Sequence, residues 1–276
     1  MEIRQEPRRS EITCRTATID SFYYGSFHWH ENYEICQVLK KNASFRVAGD
    51  LIEANAGDIV TIKDRTIHQF LISTEKTELR IFQFSTRILL NATSNPTPLK
   101  VHITREEIAA IPDLEQKLNT LFAMMDAERR APKAEENPFF TCLASTVYML
   151  LERHFSVPVD DASNQKEKQE FYRMVEYLNT HFKEDVTVNS ISKEFYMSRG
   201  RLSAIFKKHA GASITEYVNS LRITHANYLL ANGSGATEAA LESGFQSIRT
   251  FNNVYKNARG MTPSEYTKNP ENTLEQ

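Results

Sequence analysis

The spacing of apolar residues changes near residue 100, and that change constrains what this 276-residue chain can fold into more than anything else in it. Before it the apolar runs are short and extended. YEICQVLK, ASFRVAG, DIVTIK, HQFLIS and LRIFQF are rich in β-branched and aromatic residues, with Gly, Asn or Asp at several of the breaks. Strands this closely spaced predict an antiparallel sandwich or barrel. The turn-rich NATSNPTPLK, 91–100, leaves the sheet. From 104 onward the period is helical: Ile108, Ile111, Leu114, Leu118, Leu121, Phe122 and Met125 form one stripe over 104–130. Thr104 with Glu107 predicts a capping box, and 138–155 is a second helix with a broad apolar face.

The polar, Pro-interrupted segment SVPVDDASNQKEKQ is the best linker in the chain. It divides a mixed first domain, 1–156, from an all-helical one, 169–276, with 157–168 as the connection. Helices are expected over 167–182, 187–195, 198–209, 213–231, 236–243, 248–258 and 263–268. Three widely spaced cysteines, Cys14, Cys36 and Cys142, make no disulfide framework or zinc pattern. Each is expected as a small buried residue in a reducing, cytoplasmic compartment. No apolar run approaches a membrane span, and MEIRQEPRRSEIT has no apolar stretch behind its charges, so neither a membrane partner nor a secretion signal is expected.

Net charge is −2, but it is unevenly held. Between 186 and 268, ten Lys or Arg face five Asp or Glu, leaving +5 there and −7 elsewhere. A basic half of this kind suits a polyanionic partner. Two stretches within it share one pattern. In VTVNSISKEFYMSRGRLSAIFKKHAG, Val188, Ile191 and Phe195 line a short helix, Tyr196–Met197 turn, and Ser198 caps a second helix with Leu202, Ile205 and Phe206 inward. In ATEAALESGFQSIRTFNNVYKNARG, Ala236, Ala239 and Ala240 line the first helix, and Gly244 turns with Phe245 as plug. Phe251, Val254 and Tyr255 then pack the second helix. Two short helices joined by a tight turn are a helix-turn-helix unit, whose second helix fits a major groove about 12 Å wide. Arg199, Arg201, Lys207 and Lys208 face outward in the first unit, and Arg249, Asn252, Asn253 and Lys256 in the second. Ser198 and Thr250 join these cations as candidate phosphate contacts.

FKKHAGASITEYVNSLRITHANYLL and GFQSIRTFNNVYKNARGMTPSEY closely resemble the DNA-binding domain of the AraC/XylS family over about 186–268. That resemblance implies two helix-turn-helix units joined by a long helix, each placing its second helix in one of two successive major grooves. It puts Gly200, Ser203 and Ala204 at the bases in the first unit, and Ile248, Arg249, Asn252 and Asn253 in the second. Gly200 and Ala204 have no side-chain hydrogen bond to offer, so the first unit is expected to grip backbone and thymine methyls while the second reads sequence. The sequence departs from the family at Ala236 and Ala239, where larger aliphatics are usual, and at Arg259, where an aromatic is.

FHWHENYEICQVL and AGDIVTIKDRTIHQF resemble the cupin-like sensor barrel attached to many members of that family. His28, Trp29, His30, Glu34 and His68 are the expected ligand contacts. His28, His30, Glu34 and His68 also have the spacing of a cupin metal site. Lys63 and Arg65 stand where such sites usually carry Pro and Gly, and the Gly expected after Glu34 is missing. A metal-free barrel without cofactor, receiving a small effector such as a sugar or metabolite, is therefore preferred. The fold implied is α+β: a cupin-like antiparallel barrel with dimerisation helices, then the all-α domain. The function implied is a non-enzymatic, ligand-responsive transcription regulator, usually an activator. Its partners would be double-stranded DNA, RNA polymerase, a small effector and a second copy of itself. The alternative is a metal-dependent cupin enzyme with a helical appendage.

Overall fold

The computed structural model describes residues 12–19 (backbone only), 27–71, 77–85, 88–89, 97–128, 138–158 and 165–268. The strands are β1 (Ile12–Ile19), β2 (Asn32–Lys40), β3 (Asn42–Val47), β4 (Asp50–Asn55), β5 (Ile59–Ile62), β6 (His68–Leu71), β7 (Thr77–Ser85) and β8 (His102–Ile103). They form two antiparallel sheets, ordered β1-β7-β2-β5-β8 and β4-β3-β6. Alternation along each strand sends Cys36, Val38, Phe45, Val47, Phe70 and Ile81 into one buried cluster. The β3–β4 connection is a two-residue hairpin at Ala48 and Gly49, both at positive φ, the geometry that matches the twist of the flanking strands.

The five-stranded sheet is covered by helices α1 (Arg105–Ala109), α2 (Leu114–Glu128) and α3 (Pro138–Phe155). Thr104 makes the expected capping box with Glu107. The single helix expected over 104–130 is instead broken between α1 and α2. Pro112 disfavours a helical residue before it, and Asp113 adopts φ 61°. Leu114, Leu118, Phe122 and Met125 do form one face, but that face packs on the chain's own sheet, with the Phe82 and Phe122 rings 5.1 Å apart. The apolar stripe of α2 is thus packed on the chain's own barrel. Tyr33 is also in this layer: it stacks on Phe84 at 5.7 Å and meets Tyr148 edge-on at 5.5 Å. Cys36 is buried as expected, whereas Cys142 is exposed, because α3 turns that position away from the sheet.

The rest is helical: α4 (Gln165–His181), α5 (Val188–Glu194), α6 (Arg199–Ala210), α7 (Ile214–Ala231), α8 (Ala236–Glu242), α9 (Ile248–Arg259) and α10 (Pro263–Lys268). α4 starts inside the stretch expected as linker, since QKEK continues the helical run; linker residues 159–164 and turn residues 91–96 lie outside the described residues. Thr187, Ser198, Ser213 and Ser247 each accept a hydrogen bond from a first-turn amide. Gly211 and Gly260 close α6 and α9 in the left-handed conformation. α7 serves two cores at once. Tyr217, Val218 and Leu221 face Phe171, Leu178, Ile191, Leu202 and Phe206. Ile223, Ala226 and Leu230 face Ala239, Ala240, Phe245, Phe251 and Tyr255. Among the described residues, no helix is long and apolar enough to cross a membrane.

The two halves are packed together. Phe27 and Ile67, which flank strands of the barrel, are buried in the first helical core, and Phe27 lies 5.7 Å from the Tyr217 ring. Arg46 on β3 donates from Nη1 to the Gly211 carbonyl at the end of α6. A Cβ at Gly211 would stand 2.3 Å from the Gly49 Cα, so the hairpin tip meets the helix end only because both positions are glycine.

Candidate functional site

Both helix-turn-helix units form as the sequence implies, α5–α6 and α8–α9. In the first, Leu202, Ile205 and Phe206 are buried, which leaves Ser198, Arg199, Gly200, Arg201, Ser203, Ala204, Lys207 and Lys208 exposed on the opposite side of α6. In the second, burial of Phe251 and Tyr255 leaves Arg249, Thr250, Asn252, Asn253 and Lys256 exposed, with Ile248 half-buried at the start of α9. The expected reading positions therefore share the outward faces of the two helices with cations. Chemically they differ. α9 presents a guanidinium and two carboxamides, the groups that pair bidentately with guanine and adenine edges. α6 presents no such group at Gly200, Ser203 or Ala204, the three positions expected to face bases.

The cations of α6 are partly engaged within the chain. Arg201 Nη2 meets Glu170 Oε2 at 3.0 Å, and Lys208 Nζ and His209 Nε2 meet Glu167 Oε1 at 2.7 and 2.9 Å. The hydrogen bonds from Lys208 and His209 hold the Glu167 carboxyl below the usual carboxylate range. Arg199 donates to Asn189 Oδ1 at 3.2 Å. Glu167 and Glu170 were not singled out from sequence; the signal available was two acids one helical turn apart in QKEKQE, a pattern common on any solvated helix.

The departures at Ala236, Ala239 and Arg259 have structural counterparts. Ala239 and Ala240 are fully buried, so α8 rests close on α7 without large side chains. Buried Ser243 bonds His225 Nδ1 at 3.0 Å, which ties the end of that unit's first helix to α7. With its carboxamide oxygen facing Arg259, Asn227 accepts from that guanidinium and donates to the Tyr255 hydroxyl at 2.6 Å. Arg259 thereby uses hydrogen bonds where an aromatic would use packing.

In the barrel, the histidines predicted from sequence come together. His28 and His68 pair backbone to backbone, with both N–H to O distances 3.0 Å. Ring centroids lie 4.0 Å apart for His28 and His68 and 5.0 Å for His30 and His68. His30 Nδ1 donates to the Asn32 carbonyl at 2.8 Å, while Nε2 meets Glu34 Oε2 at 3.0 Å. Burial opposes ionisation of Glu34, but the hydrogen bond from His30, the electrostatic pull of His68 and His30 and the Cys36 thiol together outweigh it, and the carboxyl is held well below its ordinary value. Gln83 Nε2 at 2.6 Å and Cys36 Sγ at 3.0 Å complete its environment. Burial, and then the neighbouring His28, hold His68 well below the ordinary histidine value, so it is neutral. Trp29, between His28 and His30 in sequence, is partly buried against the first helical core.

Two family models match the chain: an AraC-like ligand binding domain over residues 10–144 and a helix-turn-helix domain over 191–269. An HTH-type transcriptional regulator of Staphylococcus aureus strain MSSA476 is 24% identical over 232 residues, covering 83% of this chain. The match spans only 30% of that relative's length, so the chain accounts for about a third of it. HTH-type transcriptional regulator YdeC of Bacillus subtilis strain 168 is 23% identical over 281 residues, covering 93% of this chain and 91% of YdeC. Among solved structures, ToxT from Vibrio cholerae O395 shares the fold at a TM-score of 0.50 and 17% identity, covering 94% of this chain and 97% of that one.

Proposed function

The chain belongs to the AraC family of transcriptional regulators, and on that premise we propose that it binds specific double-stranded DNA sites and controls transcription in response to a ligand in its barrel. One observation carries the DNA half. Two N-capped helices, each locked to α7 by its own core, present cations outward, and one of them adds Arg249, Asn252 and Asn253. Capped helices with one buried apolar face and an outward cationic face suit phosphate contact, and the base-pairing groups on α9 suit readout. The relatives are named transcriptional regulators rather than enzymes.

In this reading Gly200, Ser203 and Ala204 face bases through shape and methyl contact. Ile248, Arg249, Asn252 and Asn253 read sequence, and Ser198, Arg199, Arg201, Lys207, Lys208, Thr250 and Lys256 contact phosphates. The effector occupies the group His28, His30, Glu34 and His68, with Trp29 alongside. Because Phe27 and Ile67 join the barrel to the first helical core, a change at the neighbouring His28 and His68 has a direct route to α6. The outcome is activation of genes for small-molecule metabolism, with recruitment of RNA polymerase, by a homodimer. Enrichment of bound fragments from random duplex DNA tests the first step. A discrete motif with strongly salt-dependent affinity is expected; uniform binding to all duplexes, or none, defeats it.

A further inference from the structure

Strand β6 and the segment leading into β2 bring three imidazoles together, and the anchoring of His68 is what metal coordination needs. His68 Nδ1 is 2.9 Å from the Thr66 carbonyl, which can only accept, so the ring proton sits on Nδ1 and Nε2 carries a lone pair. That Nε2 is fully buried and, among the described residues, has no hydrogen-bond partner. A buried acceptor left unmatched is unusual and calls for a ligand. His30 is likewise anchored through Nδ1 to the Asn32 carbonyl, and its Nε2 donates to Glu34 at 3.0 Å, so an arriving ion would displace that proton to reach the nitrogen. Backbone-anchored Nδ1 with inward Nε2 is the outer-shell pattern that fixes metal-binding imidazoles. The ligand nitrogens of His28, His30 and His68 all lie within 4.8 Å of one another.

The two sequence features that favoured a metal-free barrel have local answers. Arg65 adopts φ 58°, the conformation a glycine would supply, and its N–H donates to the His30 carbonyl at 2.7 Å. The turn that delivers His68 therefore forms without glycine. Ile35, where a glycine was expected after Glu34, is fully buried on the other side of its strand and leaves Glu34 facing the histidines.

We propose that His28, His30 and His68 bind a divalent transition-metal ion of the zinc, nickel or cobalt class, with the Glu34 carboxylate balancing its charge, and that this ion is the effector. Imidazole donors favour that class over magnesium or calcium, which take oxygen ligands. The ion would draw together two segments whose immediately preceding residues, Phe27 and Ile67, are seated in the core that carries α6. This ligand identity rests on the gene-control reading, whereas the metal site itself does not.

The test uses the full chain, stripped with chelator, dialysed and titrated calorimetrically with zinc, nickel and cobalt salts. Uptake of about one ion per chain is expected, weakened by roughly 100-fold or more in His68→Gln and in His28→Asn. His28 is half-exposed, so its variant tests the site even if His68→Gln does not fold. No stoichiometric uptake, or uptake indifferent to both substitutions, overturns the site. Fluorescence titration onto an enriched DNA site should then show affinity changing at least tenfold between stripped and loaded protein, with His28→Asn unresponsive. Unchanged affinity overturns the effector role. Failure of every form to bind DNA overturns the gene-control reading instead, and the calorimetry still decides the site. Arg249→Ala, which leaves the cluster intact, should take up the ion normally.

Discussion

The two helix-turn-helix units share one plan but differ in what each is free to do. Both second helices start at a serine cap, end at a left-handed glycine and bury aromatic or aliphatic side chains against α7. The first unit is attached on several sides: the barrel reaches its core through Phe27 and Ile67, Arg46 caps its carboxyl end, and α4 carboxylates hold its cations. On the second, among the described residues, Arg249 forms no ion pair. A unit without base-reading groups but attached to the sensor is suited to being regulated, and a unit with such groups and fewer ties is suited to recognition. Repeated folds can thus divide labour by their surroundings as much as by their reading residues.

The turns give the sharpest contrast and the largest expected effect. Gly244 in the second unit has φ 86°, and a Cβ there would meet the Lys183 backbone at 2.6 Å. Tyr196, its counterpart in the first unit, has φ 51° and is 97% exposed. Gly244→Val should cost about 3 kcal/mol in denaturant unfolding, from overpacking and left-handed strain together. Tyr196→Gly should change stability by less than about 1 kcal/mol, since relief of strain offsets the added chain freedom. Equal costs at both turns would mean the units are held in the same way.

Acid should separate them next. His225 on α7 is buried, bonded to Ser243 of the second unit, and its pKa is pushed down to about 4 by burial and then by Lys183. The unfolded chain takes up that proton at the ordinary value near 6.5, before the folded one does. Stability from this site is therefore complete above pH 6.5 and is lost as pH falls toward 4, by about 2 kcal/mol between 6.5 and 5. Amide exchange should show α8 and α9 loosening before α5 and α6. In His225→Gln the pH dependence over that window should shrink; if it persists, another group is responsible.

Arg249→Ala should lose about 1–3 kcal/mol at one base pair and relax preference there. Arg201→Ala should weaken binding evenly across sequences and lower the salt dependence by about one counterion. Fragment enrichment with each variant checks the pair, and altered site preference in Arg201→Ala would reverse the assignment of reader and grip.

Much of this contrast was legible before any coordinates. Helix limits from α4 to α10 fall within about two residues of the sequence expectation, because Ser and Thr caps and Gly stops are local chemistry. The histidine group was legible as spacing. Strands β1 and β4 were not: ITCRTATI and DLIEAN mix polar residues through the run, and in β4 only Ile52 and Ala54 are buried. The barrel-to-helix seat was invisible as well. It depends on Gly49 meeting Gly211 across 162 positions of sequence, and nothing local to either glycine signals the other.

The smallest effect bears on whether the first unit's attachments oppose DNA binding. Arg201 and Lys208 are more than half exposed, so their bridges to Glu170 and Glu167 are worth at most about 1 kcal/mol each. Phosphate oxygens would compete for the same guanidinium and ammonium, which makes each carboxylate a weak intramolecular rival of DNA. Glu170→Gln and Glu167→Gln should therefore raise affinity about two- to fivefold at low salt, with the gain fading as salt screens both contacts. The matched substitution on the second unit, Glu242→Gln, lies outside any observed pair with Arg249 and should move affinity less. A fall in affinity in the α4 variants would show that the carboxylates hold the cations in position for the phosphates, so that the first unit's ties would serve DNA binding.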